Sequence, residues 1–120
     1  MKNLLLVKKK DNWFLRNKKK KIIHSYDEYI YELIRINNLK AKNILEIGCA
    51  NGYKLIKYKE LLKSNNCYGV DLSKQAILDG KKRYKTLKLL NLSSLDINKI
   101  KLKFDLIICG FFLHQLDRNL

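Results

Sequence analysis

Asn43-Ile44-Leu45-Glu46-Ile47-Gly48-Cys49-Ala50-Asn51-Gly52 decides the fold class. Its first half is an apolar run too short for a helix, and its second half holds two glycines four residues apart, so it reads as a buried strand running into a tight loop. The pattern alternates in both directions from there. Downstream, Tyr53 to Leu62 has helical spacing through Leu55, Ile56, Tyr58, Leu61 and Leu62, and Ser64-Asn65-Asn66 ends it. A second strand is predicted over Cys67 to Asp71, and Ser73 is placed to cap a helix carrying Ala76, Ile77, Gly80 and Tyr84. Leu87 to Leu90 and Phe104 to Cys109 supply the third and fourth strands. Upstream, Ser25-Tyr26-Asp27-Glu28 has the spacing of a capping box, and Tyr26, Tyr29, Ile30, Leu33 and Ile34 form one apolar helical face closed by Asn37 and Asn38. Strands alternating with helices in this way predict an α/β domain with a parallel sheet built from right-handed crossovers. In such sheets ligands bind outside the carboxyl ends of the strands.

Composition narrows the classes. The chain has 120 residues and a formal charge of +15, of which 22 lysines against 4 arginines make the basic side. A lysine excess of this kind reads mainly as solvated surface, because the arginines that recognise phosphates and bases in bidentate fashion are scarce. Lys8 to Lys10 and Lys18 to Lys21 do bracket the aromatic pair Trp13 and Phe14, which leaves a basic surface open as a second reading. Residues 1–21 show no clear periodicity and are read as a basic amino-terminal arm, with one domain over residues 22–120. The three cysteines, Cys49, Cys67 and Cys109, have no paired spacing, so neither a disulfide framework nor a metal site is signalled. No apolar stretch is long enough to span a membrane or to serve as a secretory signal, and a cytoplasmic location is expected.

The chemistry gathers at the strand exits. Glu46 puts an acid at the end of the first strand, and Gly48 and Gly52 let the backbone approach a ligand closely before turning into the next helix. Asp71 ends the second strand, where an acid accepts hydrogen bonds from the hydroxyls of a ribose. Asn91 ends the third, followed by the polar stretch Leu92-Ser93-Ser94-Leu95-Asp96, where an adenine edge can be read by a side-chain amide and backbone N–H groups. Loop, acid and polar stretch in this order describe an adenosine site.

At these four segments the sequence resembles the class I, Rossmann-like S-adenosylmethionine-dependent methyltransferases. ILEIGCANGYKL resembles their first motif, with Ala50 where a middle glycine is common, and CYGVDLS resembles the second. LNLSSLDI resembles the third, with Asn91 in place of the more frequent aspartate, and FDLIICGFFLHQL resembles the fourth. The resemblance covers about residues 40 to 117 and implies a parallel sheet of strand order 3-2-1-4 with flanking helices, truncated after the fourth strand. It implies S-adenosylmethionine as cofactor and methyl transfer to an acceptor, with proximity and alignment as the protein's main contribution. Glu46 is then expected to face the methionine end, with Gly48, Cys49, Ala50, Asn51 and Gly52 packed along the cofactor. Asp71 and Leu72 are expected at the ribose, and Asn91, Leu92 and Ser93 at the adenine. Cys109 is expected near Cys49 in the same pocket, and His114 is the one residue placed to act as a base.

Other readings stay open beside this one. A nicotinamide-binding domain also ends its second strand in an acid, but it expects three glycines as G-x-G-x-x-G, and no glycine stands between Gly48 and Gly52. A cofactor-binding remnant without activity and an RNA-binding methyltransferase are the others. For partners, a small-molecule or sugar-type acceptor is expected. Leu106-Ile107-Ile108-Cys109, with no lysine or proline to guard it, is expected to invite association along an exposed edge.

Overall fold

The computed structural model describes residues 2–17 and 25–110. Its elements run in the order α1 (Lys2–Asn17), α2 (Ser25–Ile36), β1 (Asn43–Ile47), α3 (Leu55–Leu62), β2 (Asn66–Asp71), α4 (Lys74–Arg83), β3 (Lys88–Asn91), a 3-10 turn (Ser94–Lys99) and β4 (Leu106–Ile108). The four strands form one parallel sheet in the order β3-β2-β1-β4, as the sequence led us to expect. Central β1 pairs with both neighbours, Glu46 standing opposite Gly69 on one side and Ile108 on the other. Its inner residues Ile44 and Leu45 are 0% exposed, which is why this strand is apolar on both faces while β3 alternates. Leu55, Tyr58 and Leu62 of α3 and Ala76, Ile77 and Gly80 of α4 are buried among the covering layers.

Two carboxylates set the strand ends. At the amino edge, Asp105 Oδ2 accepts from the backbone amides of Lys42 (3.0 Å) and Asn43 (2.8 Å), while the Asp105 amide donates to the Asn43 carbonyl at 2.8 Å. This reciprocal clasp joins the start of β1 to the approach of β4. At the opposite edge the corresponding carboxylate is Asp71, described below. Ser73 caps α4 as expected, its hydroxyl accepting from the Ala76 amide at 3.1 Å.

The amino-terminal segment differs from its reading as an arm without periodicity. Residues 2–17 are helical, and α1 packs on the end of the domain where α4 begins. Its inner face is Val7, Lys10, Asp11 and Phe14, at i, i+3, i+4 and i+7, whereas Lys8, Lys9, Asn12 and Leu15 are exposed. Two of those four inner residues are charged, so a search for apolar periodicity passes over them. The 3-10 turn likewise falls in what the sequence shows only as a polar stretch. The Ser25 and Glu28 side chains of the capping box, together with Trp13, His24, Lys18 to Lys21 and His114, lie outside the described side chains. No helix among the described residues is long and apolar enough to cross a membrane.

Candidate functional site

The loop after β1 folds back against β2 through its own backbone. The amides of Gly48 and Cys49 both donate to the Val70 carbonyl, at 2.9 and 3.1 Å, and the Gly52 amide donates to the Cys49 carbonyl at 2.9 Å. Holding that turn requires positive φ at Gly48 (75°), Ala50 (52°) and Gly52 (90°). Ala50, which stands where a third glycine is common, therefore keeps the left-handed conformation in spite of its Cβ. A side chain at Gly52 would meet Leu87 Cδ1 at 2.8 Å, and one at Gly80 would meet the Asn51 carbonyl oxygen at 2.1 Å. The loop is thus seated directly on β3 and α4.

Asp71, at the end of β2, is the hub of this region. Its Oδ2 accepts from the Ala50 amide at 2.8 Å and its Oδ1 from the Ser73 amide at 2.8 Å. Lys10 Nζ of α1 lies 3.1 Å from Oδ2, with the two side chains 6% and 0% exposed. A buried charge is costly unless paired, and here the pairing comes from α1, in the segment expected to be an arm outside the domain. The next residue of α1, Asp11, accepts a hydrogen bond from the Ser73 hydroxyl. Lys10 and Asp11 thus belong to the candidate site although sequence reasoning missed them; the signal available was their spacing with Val7 and Phe14.

Several expected contacts are committed within the chain. Asn91 Nδ2 donates to the Asp71 backbone carbonyl at 2.9 Å, and the Leu92 amide donates to the same oxygen at 3.2 Å, so β3's end positions Asp71. Asn51 Nδ2 donates to Asp79 Oδ2 of α4 at 2.9 Å, and its Oδ1 accepts from the Tyr53 amide at 3.1 Å. Ser93 caps the 3-10 turn, its hydroxyl accepting from the Leu95 amide. Leu72, half-buried, bridges Asp71 and Ser73.

The two cysteines expected at the site differ. Cys49 is buried and Cys109 exposed. Burial pushes the Cys49 thiol well up, and the negative charges of Glu46 and Asp71 push it further while Lys10 opposes them. Burial and the Glu46 carboxylate raise the Cys109 thiol too. Glu46, itself buried, thus acts on both thiols, in keeping with the side-by-side placement of β1 and β4.

A parallel sheet of this order, with a glycine-bearing loop after the first strand and an acid at the end of the second, is the arrangement of the Rossmann-like folds, and its structural relatives place it among the methyltransferases. A methyltransferase domain family matches residues 45–120. An uncharacterized protein of Rickettsia prowazekii (strain Madrid E) is 38% identical over 96 residues, covering 72% of this chain and 38% of its own length. Among solved structures, PKMT2 from Rickettsia typhi in complex with AdoHcy is 33% identical over 71% of this chain and 18% of its own, with a TM-score of 0.52. The sugar N-methyltransferase KedS8 from Streptoalloteichus shares the fold at a TM-score of 0.62 and 19% identity, over 82% of this chain and 38% of its own. The chain belongs to the methyltransferase domain family, and it spans well under half the length of these relatives.

Proposed function

We propose that the chain binds S-adenosylmethionine at the carboxyl ends of β1, β2 and β3 and serves methyl transfer to a small-molecule acceptor. The observation that carries the reading is the state of Asp71. A carboxylate offers about four acceptor sites, and the backbone amides of Ala50 and Ser73 take two of Asp71's, which fixes the group at the mouth of the glycine loop. The sites beyond those two, one of them taken by the Lys10 ammonium, match in number the vicinal hydroxyls of one ribose, so the residues fit the cofactor once Lys10 yields its place. Family membership supports the same reading, as does AdoHcy in the 33% identical relative.

When bound, S-adenosylmethionine supplies a methyl group on positively charged sulfur, open to attack by an acceptor nucleophile. The chain's own residues bind and orient. Asp71 accepts from the ribose, and Asn91 and Leu92, by holding the Asp71 carbonyl, keep the adenine side of the pocket against it. The loop from Gly48 to Gly52 contributes close backbone approach more than donors, since the amides of Gly48, Cys49, Ala50 and Gly52 are already engaged. Glu46 is the acid beside the methionine end, with Cys49 and Cys109 flanking it, and His114 is the proposed base. The small-molecule class for the acceptor accords with the sugar substrate named for the fold relative KedS8.

The test is calorimetric titration of the 120-residue chain with S-adenosylmethionine, S-adenosylhomocysteine and NAD. Saturable binding of the first two and not the third is expected. Preference for NAD would replace the methyltransferase reading with the nicotinamide one. Transfer of labelled methyl to a panel of small amines and hydroxyl compounds then examines the acceptor class.

A further inference from the structure

The contact between α1 and Asp71 does more than close the domain. Lys10 Nζ lies 3.1 Å from Oδ2 of the carboxylate that the ribose reading assigns to the cofactor, the same oxygen that accepts from the Ala50 amide, while Oδ1 accepts from the Ser73 amide. Counting acceptor sites, two amides and one ammonium leave room for one further donor, whereas a ribose presents two hydroxyls. Cofactor and Lys10 therefore compete for Asp71. Asp11, one residue on, is bonded to the Ser73 hydroxyl, so the same turn of α1 is fastened at two points across the β2–α4 connection. Val7 and Phe14 supply the apolar part of the contact, Phe14 being 5% exposed.

We propose that α1 is a strap that closes the cofactor site from the ribose side, with Lys10 standing in for the ribose hydroxyls until the cofactor displaces it. The inference rests on the methyltransferase reading above. It adds that binding is coupled to movement of α1, and that Lys10 opposes the cofactor while Asp71 favours it. The ammonium is suited to this exchange: it is a single flexible cation on a long stem, able to leave the carboxylate without disturbing the two amides that keep Asp71 in place. A protein whose competent form is a minority binds with an affinity reduced by the fraction open, and removing the latch restores the difference.

The experiment uses the full chain and the variants Lys10→Met, Asp11→Asn and Asp71→Asn, with S-adenosylhomocysteine as probe. Calorimetry should show Lys10→Met binding about tenfold more tightly than the parent, the gain expected where about a tenth of the molecules are open, and Asp11→Asn shifting in the same direction by less. Hydrogen exchange should show the α1 amides losing protection when the probe is added to the parent. Asp71→Asn should release them without any probe. Weaker binding by Lys10→Met, or α1 amides that become more protected on titration, would make Lys10 a cofactor contact and overturn the strap. Failure of every form to bind the probe, with α1 still released in Asp71→Asn, would refute the methyltransferase reading and with it the displacement step. Should Lys10→Met not fold, the Asp11→Asn affinity and the exchange of the parent decide the matter.

Discussion

Asp71 and Asp105 end up in similar hands but in different surroundings. Each accepts from two backbone amides at 2.8 to 3.0 Å, and each fastens the end of one strand to a neighbouring segment. Asp105 is exposed at the amino edge of the sheet, and its amides come from the strand it joins. Asp71 is buried at the carboxyl edge, is reached by a cation from a distant helix, and sits against the loop with three positive φ values. An amide-clasped acid is therefore architecture by itself. Burial beside a close-approach loop and a charged partner set the Asp71 clasp apart, and on the proposed reading they make it a binding site.

The largest effect should come from pressing on the loop that distinguishes the two edges. Gly80→Ala would gain up to about 1 kcal/mol of helix propensity. The new Cβ, however, would stand 2.1 Å from the Asn51 carbonyl oxygen, and overpacking against backbone costs about 3 kcal/mol. The balance is a loss of about 2 kcal/mol by denaturant unfolding, with weaker cofactor binding because the loop must shift. A variant as stable as the parent would mean that the loop is not seated on α4.

A smaller effect is expected at the other edge. Asp105→Ala leaves the Lys42 and Asn43 amides to water, since the region is exposed, and should lower stability by about 1 kcal/mol. Its affinity for S-adenosylhomocysteine should equal the parent's. A large loss of affinity here would erase the contrast between the two aspartates.

The smallest effect near neutral pH lies in the pH dependence of stability, which shows only on the alkaline side. Burial and the nearby carboxylates raise the folded Cys49 thiol above its ordinary value near 9.0, so the folded chain keeps a proton that the unfolded chain gives up. Stability from this group is fully present below the unfolded value and is lost as pH rises above it, with a limiting slope of about 1.4 kcal/mol per pH unit. Cys49→Ala should flatten the alkaline limb of a stability-against-pH curve. An unchanged limb would assign the loss to other groups.

How much of this could be read in the sequence follows from where each signal resides. The sheet was legible because β1, β2 and β4 announce themselves by apolar runs and the loop by its glycines. Asp71 was legible because its place at a strand end carries meaning alone. Asn91 and Asn51 were placed correctly along the chain, yet their side chains turn to the Asp71 carbonyl and to Asp79, choices made by tertiary packing that spacing does not encode. The helix α1 was missed because its inner face is half charged, and the value of burying Lys10 and Asp11 exists only once Asp71 and Ser73 are brought beneath them. The proposed strap is thus hidden by the feature that would let it open, an inner face that is half charged.

The most direct test of the account is the affinity of Asp71→Ala for S-adenosylhomocysteine, measured by calorimetry beside Asp105→Ala and with folding of both checked by thermal melting. Losing the buried acceptor of the ribose should weaken binding by about 1–3 kcal/mol, or roughly fivefold to more than a hundredfold, while Asp105→Ala binds as the parent does. A folded Asp71→Ala that binds with parental affinity would contradict the assignment of this carboxylate to the cofactor.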